Sequence, residues 1–326
     1  MRIAVIGAGA IGGTMAALLD RAGHQVTVVA RGANLAAIAG GGIRFSGAWG
    51  EHLAMVRAVD SLDAVPELAI VATKAQDAEA AVSAQARFLA GIPVVVVQNG
   101  LEAVESARRA APRSDLVGAL ALYAASYLSP GEVTVTAAAA TYLGGPVPAT
   151  LFASKVIGAV MPVELTDNFE GAQWTKLVVN HLNALPAITG LSVQQVVADP
   201  RLRLILTRSM REAVRVAKKR GIVFEPLSGL TDRILSLLLS LPVGLGQFLP
   251  RMMVRRMGST PNPGSTLQSI RRGQPTEIDY LNGAVVRLGA QSAVPTPVSA
   301  MLVELVHEVE RGSGFFSVDA VVARIG

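Results

Sequence analysis

Apolar residues recur along this chain in two rhythms. In the first half they come as short runs, unbroken at positions 3–6, 68–72, 93–97 and 116–120, with a further strand at 25–30 where Gln25 and Thr27 interrupt the apolar residues. Runs of that length with no polar alternation predict strands buried on both faces, the habit of a parallel sheet. Between them lie stretches of good helix formers, at 14–21, 35–38 and 77–89. Segments 43–45 and 52–56 predict a hairpin around Gly47-Ala48-Trp49-Gly50, and Ser129-Pro130-Gly131-Glu132 is a turn signal. The β-α-β succession predicts an α/β domain with a doubly wound parallel sheet. From about Asn168 the rhythm changes to helical periods. Helices are expected at 174–188, interrupted near Pro186, then at 201–220, 265–272, 278–288 and 298–311. The expected organisation is therefore a domain over 1–167 and an all-α domain over 168–326.

The turn after the first run is the sharpest motif. Gly7-Ala8-Gly9-Ala10-Ile11-Gly12 reads G-x-G-x-x-G and lies between a predicted strand and a predicted helix, the context that gives this pattern its meaning. Gly7 permits the tight turn, Gly9 lets backbone approach a pyrophosphate, and Gly12 allows close packing of helix on strand. The helix N-terminus supplies unpaired N–H groups to the phosphates. A Rossmann-type dinucleotide site follows. At the end of the second strand, where an NAD site carries Asp or Glu, stands Arg31. A cation there suits a 2′-phosphate, so the expected cofactor is NADP(H), against the plain alternative of a solvated surface arginine. Thr73-Lys74 and Gln98-Asn99-Gly100 also fall at predicted strand ends, where ligands lie in such sheets. Lys74 could reach phosphate or a substrate carboxylate, and Asn99 could hydrogen-bond ribose or the nicotinamide side.

Composition narrows the function further. An apolar content of 51% with 16% charged residues marks a well-packed globular chain of 326 residues. With no cysteine, disulfides, thiolate nucleophiles and Cys-ligated metals are excluded, and a cytoplasmic location is expected. Four scattered histidines show no metal-ligand spacing, so no metal is expected. The apolar run from Ile3 is broken by glycines and does not read as a signal peptide. Residues 234–250 carry no formal charge, but fall short of the ~20 residues of a membrane span and contain Pro242, Gly244, Gly246 and Pro250. They are expected to be helices broken at a turn and buried in a core or subunit contact, which leaves a homodimer open. The net charge of +5 with only 4% aromatics argues against nucleic acid and fits anionic small molecules.

Two stretches of the helical half carry candidate chemistry. In Trp174-Thr175-Lys176-Leu177-Val178-Val179-Asn180, Lys176 and Asn180 are four apart and share a helix face among apolar neighbours. Partial burial would lower the lysine pKa and make it a proton donor near neutral pH; a lysine reaching out to solvent is the plain alternative. The second stretch runs from Ser265-Thr266-Leu267-Gln268 to Thr276-Glu277-Ile278-Asp279-Tyr280-Leu281-Asn282-Gly283. Pro275 with Thr276 and Glu277 predicts a helix start, where Glu277 and Asp279 could simply cap.

Taken together and in order, Gly7 to Gly12, Arg31, Thr73-Lys74-Ala75, Gln98-Asn99-Gly100, Trp174-x-Lys176-Leu177-x-x-Asn180, Ser265-x-Leu267-Gln268 and Thr276-Glu277-Ile278-Asp279-Tyr280-x-Asn282-Gly283 resemble the ketopantoate reductase (2-dehydropantoate 2-reductase) family over nearly the whole chain. The resemblance implies NADPH-dependent reduction of 2-dehydropantoate to pantoate, a step towards pantothenate and coenzyme A. It implies Lys176 as catalytic lysine and Glu277 as the carboxylate that binds the substrate hydroxyl. Asn180 and Ser265 match substrate-binding positions; Lys74, Asn99 and Ala124 match cofactor-side positions, and Glu308 a residue near the cofactor. The active site is then expected in the cleft between domains. Some positions depart from the family pattern. A second Asn usually stands four residues after the one matched by Asn180, but here 184 is Ala and the Asn is Asn183. At about 100° per residue Asn183 would face elsewhere unless the helix is locally distorted. A further family Asn falls near Ser192 or Val193. Two other readings compete: a paralogue reducing a different 2-oxo acid, and a non-catalytic NADP-binding sensor. Retention of Lys176 with Glu277 argues against the sensor.

Overall fold

The computed structural model describes residues 1–258 and 261–326. The chain forms two compact units, Met1–Phe169 and Glu170–Gly326.

In the first unit the strands are β1 (Arg2–Ile6), β2 (Gln25–Val29), β3 (Ile43–Gly47), β4 (His52–Ala54), β5 (Arg57–Val59), β6 (Leu68–Val71), β7 (Pro93–Val97), β8 (Asp115–Ala121), β9 (Ala124–Ser129), β10 (Glu132–Ala137), β11 (Thr141–Gly144) and β12 (Val163–Leu165). The helices are α1 (Ala10–Arg21), α2 (Gly32–Gly41), α3 (Ala75–Leu89), α4 (Ala103–Ala110) and α5 (Val147–Gly158). Eight strands make one sheet in the order β12-β11-β8-β7-β6-β1-β2-β5. All its pairings are parallel except β11 with β8. Ile3 to Ile6 of β1, Leu68 to Val71 of β6 and Val94 to Val97 of β7 are all buried, because helices cover both faces of a parallel sheet. The doubly wound α/β fold expected from the sequence is borne out. From β1 the chain winds out to β2 on one side, then crosses to β6 on the other. That reversal of direction is the crevice where ligands bind in open α/β sheets.

A second sheet was not foreseen. The predicted hairpin of β3 and β4 does form, but β3 also pairs in parallel with β10, and β10 with β9, giving the order β4-β3-β10-β9. Its inner residues Phe45, Val133 and Val135 join Met15, Leu18 and Leu19 of α1 in one apolar cluster. This small sheet thus covers the helix that follows the glycine turn.

The second unit is helical: α6 (Phe169–Asn180), α7 (Ala184–Thr189), α8 (Val193–Ala198), α9 (Pro200–Lys219), α10 (Asp232–Ser240), α11 (Val243–Gly246), α12 (Phe248–Met257), α13 (Gly264–Arg271), α14 (Asn282–Gln291), α15 (Pro297–Glu310) and α16 (Val318–Ile325). Among the described residues, 3₁₀ turns at His181–Asn183 and Ile278–Tyr280 interrupt it. The break expected near Pro186 lies instead at 181–183. Pro186 sits in the first turn of α7, where its missing N–H would have had no intrahelical partner anyway. The helix expected from 278 likewise starts as a 3₁₀ turn and becomes α-helical only at Asn282. Residues 234–250 do form helices broken at Pro242, and they pack on α9, where Arg211 donates to the carbonyls of Leu239 (3.0 Å) and Leu241. Leu237 and Leu245 nevertheless stay exposed. Among the described residues, no helix is long and apolar enough to cross a membrane.

Candidate active site

The glycine turn has the shape its spacing implies. Gly7 takes a φ of +97°, and a Cβ there would lie 2.8 Å from Thr73 Cγ2 and from the Thr73 backbone nitrogen. At Gly12 a Cβ would come within 1.8 Å of the Gly7 carbonyl oxygen. At Gly9 it would meet nothing within 4 Å. Two glycines are therefore demanded by protein packing, while the third borders open space. Gly9 is also the N-cap of α1, which has neither a side-chain cap nor an acidic residue in its first turn. Its N-terminal N–H groups and partial positive charge are left to an anion. Ala8 is buried, while Ala10 and Ile11 open α1 half-buried. Asn34 braces the turn: its amide donates to the Ala8 carbonyl at 2.8 Å and accepts from the Gly131 N–H at 2.9 Å.

The other nucleotide-side residues arrive at the same sheet edge. Arg31 follows β2 as N-cap of α2, exposed, and its guanidinium meets no acceptor among the described residues. Lys74 follows β6 as the half-buried N-cap of α3. Asn99 follows β7, half-buried, before Gly100 with φ +87°. Gln98 ties these last two loops together, donating to the Thr73 carbonyl (3.0 Å) and hydroxyl (3.1 Å). Ala124 comes just after β8 and opens β9 of the small sheet. The sequence offered no signal for the bracing by Asn34, because its two partners lie 26 and 97 residues away.

The second unit assembles a different chemistry. Lys176 lies on the last turns of α6, after a fully buried Thr175 whose hydroxyl donates to the carbonyls of Gly171 (2.9 Å) and Glu225 (2.8 Å). Loss of hydration pushes the Lys176 ammonium down to about 8, against the opposing pull of the Glu277 carboxylate. Desolvation disfavours the charged form, so the larger effect is burial. Lys176 and Glu277, 101 residues apart, thus act on each other electrostatically. The expected helix start at Glu277 is realised as the cap position of a 3₁₀ turn, but its side chain makes no cap bond there.

Asn180 ends α6, and its buried Nδ2 has no acceptor among the described residues. Such a donor is costly to leave unmet and is available to a ligand. The 3₁₀ turn at His181–Asn183 resolves the displaced asparagine. With three residues per turn, side chains three apart eclipse, so Asn183 falls on the Asn180 side although it is one residue early. Ala184 is instead fully buried. A Cβ on Gly264 would lie 2.5 Å from Asn183 Oδ1, so Asn183 sits against the start of α13, whose exposed Ser265 follows. Ser192 is spent on a capping box with Gln195, and Val193 is buried. Glu308 is gripped by Arg324 through two hydrogen bonds of 2.8 Å.

Sequence reasoning also missed a buried polar cluster behind this face. His181 Nδ1 lies 2.6 Å from the Ser209 hydroxyl, Asn282 Nδ2 is 3.3 Å from both, and Ser209 is 3.2 Å from Ser299. Burial pushes the His181 imidazole down to about 3, so it is neutral at working pH. The cluster joins the turn that carries Asn180 and Asn183 to the start of α14. Asn282 stood in the Thr276-to-Gly283 motif, which was the one available hint.

Comparison with known proteins matches both halves of the chain. The family model Ketopantoate reductase PanE/ApbA matches residues 3–147, and Ketopantoate reductase PanE/ApbA C terminal matches 168–310. The chain is 29% identical over 319 residues to the 2-dehydropantoate 2-reductase of Archaeoglobus fulgidus, covering 95% of this chain and 98% of that one. The crystal structure of a PanE/ApbA family ketopantoate reductase from Ralstonia eutropha superposes with a TM-score of 0.81 at 28% identity, over 95% of this chain and 99% of that one. The ternary structure of D-mandelate dehydrogenase with NADH and anilino(oxo)acetate shares the fold, with a TM-score of 0.82 at 21% identity over 95% and 99% of the two chains. With both family models matched in order along its length, this chain belongs to the ketopantoate reductase family.

Proposed function

We propose that this protein reduces 2-dehydropantoate to pantoate with NADPH. The observation that carries the reading is the desolvated Lys176 under the charge of Glu277, in a unit of the chain separate from the nucleotide turn. The nucleotide side fits the cofactor: open space at Gly9, an α1 N-terminus without a side-chain cap, and at the end of β2 an exposed Arg31 with no acceptor among the described residues. In this reading Gly7 to Gly12 hold the pyrophosphate, Arg31 the 2′-phosphate, and Lys74, Asn99 and Ala124 the remainder. Bound NADPH supplies a hydride to the carbonyl carbon.

The chain's own residues manage the oxygen. Reduction of a ketone builds negative charge there, and an ammonium stabilises that charge more than it stabilises the neutral carbonyl. Lys176 holds a proton at Nζ and passes it to the oxygen, so that one hydride and one proton complete the alcohol. A pKa near 8 keeps the donor charged at neutral pH yet lets it release the proton readily. Glu277 accepts a hydrogen bond from the substrate hydroxyl. Asn180, Asn183 and Ser265 orient the remaining polar groups, with the unmet Nδ2 of Asn180 as one donor.

The decisive experiment follows NADPH oxidation against a panel of 2-oxo acids, with NADH in parallel. The expected result is highest kcat/KM with 2-dehydropantoate and NADPH. Preference for another 2-oxo acid would overturn the substrate, and equal use of NADH would overturn the cofactor.

A further inference from the structure

Glu277 is bracketed by two bonds that converge on one imidazole. On one side the backbone N–H of Thr276 donates to Glu310 Oε1 at 2.7 Å. On the other, Asp279 Oδ1 lies 3.0 Å from His307 Nε2. His307 Nδ1 in turn lies 2.7 Å from Glu310 Oε2. The imidazole therefore ties residues 276 and 279 to α15 at once, one through Glu310 and one directly. Both ring nitrogens face carboxylate oxygens, which accept only, so both bonds exist together only when the ring carries two protons.

We propose that His307 is a positioning residue that grips the segment on both sides of Glu277 and so holds that carboxylate where the substrate hydroxyl is bound. This rests on the reading of Glu277 as the substrate's hydrogen-bond acceptor. Among the described residues, charged groups on the elements packed against His307 include these. Asp279 comes from the 3₁₀ turn and Glu310 from its own helix, while Arg287 of α14 donates to the Asp279 carbonyl at 2.7 Å. Helix α7 carries no titratable residue. Glu212 of α9 accepts from the N–H groups of Val298 and Ser299 at the other end of α15, and Arg324 of α16 is taken by Glu304 and Glu308.

Burial works against a charged His307, but the bonds to Glu310 and Asp279 outweigh it and raise its pKa above the ordinary histidine value of 6.5. The grip is then complete below 6.5 and is lost as pH rises through the raised value. Substrate affinity follows it, whereas Lys176 governs turnover.

The test measures KM for 2-dehydropantoate, kcat and NADPH affinity from pH 5.5 to 8.5 in wild type, His307→Gln, Asp279→Asn, Glu277→Ala and the double variant His307→Gln/Glu277→Ala. The partners are partly exposed, so the expected effect is moderate, a KM raised roughly threefold to tenfold at the acid end. The ratio of variant to wild-type KM should fall towards one as pH rises, with kcat and NADPH affinity unchanged. Asp279→Asn should do the same, which keeps the test intact if His307→Gln folds poorly. In the Glu277→Ala background His307→Gln should add nothing. A ratio of one at low pH, a ratio constant with pH, or an additive double variant overturns the proposal. If Glu277→Ala itself leaves KM unchanged, the reading of Glu277 has failed and the clamp falls with it. If Glu277→Ala raises KM while His307→Gln does not, the clamp alone has failed.

Discussion

Lys176 and Arg31 are both cations, but they sit in different surroundings and are proposed to do different work. Lys176 loses hydration, and its pKa drops to about 8. In the proposed mechanism its protonated form is the donor, so kcat/KM should be level below that value and fall as pH rises through it. Rate profiles of wild type should show this limb. Lys176→Ala should lose kcat by roughly 10²–10³-fold, as for a lost oxyanion donor, with NADPH affinity intact. Arg31 stays exposed at a strand end with no acceptor among the described residues. Arg31→Ala should weaken NADPH by roughly 10- to 100-fold, the worth of one or two charge-assisted bonds, and leave NADH unchanged. Fluorescence titration with each nucleotide checks it, and equal weakening of both would remove Arg31 from the 2′-phosphate.

At the scale of elements, two glycines three residues apart, Gly9 and Gly12, make opposite predictions. Gly9→Val places its side chain in open space at the mouth of α1. The fold should hold its melting temperature, and NADPH binding should be lost. Gly12→Ala drives a methyl against the Gly7 carbonyl, which is backbone and cannot rotate away. It should cost about 1–3 kcal/mol of stability or more, because β1 and α1 must separate. Thermal unfolding and titration of both variants separate the two roles. The 3₁₀ turn at His181–Asn183 carries a similar lesson. An α-helix would already leave Asn183 within about 60° of Asn180, and the 3₁₀ turn, with His181 bonded to Ser209 and Asn282 behind it, brings the two closer to eclipsed. Glycine spacing was readable because the positive φ at Gly7 and the approach of Gly12 to the Gly7 carbonyl both lie within one short turn. The asparagine offset was not, because it depends on a partner 101 residues on.

For the whole molecule, the buried neutral His181 makes stability depend on pH. Its pKa is about 3 in the fold against 6.5 unfolded. The unfolded chain therefore binds the extra proton first, and stability should fall as pH drops from 6.5 towards 3. Urea unfolding at pH 7 and pH 5 should show a larger loss in wild type than in His181→Gln; equal losses would mean that His181 is not held neutral. Saturating NADPH should raise the unfolding free energy by about 2.7 kcal/mol at one hundred times Kd, and should do nothing for Gly9→Val. The fold by itself does not set the substrate, since a D-mandelate dehydrogenase shares it at 21% identity.

The amino-acid order alone determined what acts within a few residues. Apolar runs made the parallel strands, glycine spacing made the turn after β1, and a change of period marked where helices take over. Lys176 and Asn180 share a face through helix geometry alone. Tertiary structure decided everything that joins distant segments. It paired β3 with β10 to build a second sheet, brought Glu277 to Lys176, moved the helix break from Pro186 to residues 181–183, and hung the Glu277 segment on His307. The reason is physical. Periodicity and turn chemistry are local and repeat within a window of residues, whereas a strand's second neighbour or a carboxylate's partner is chosen by which packing leaves the fewest buried polar groups unmet.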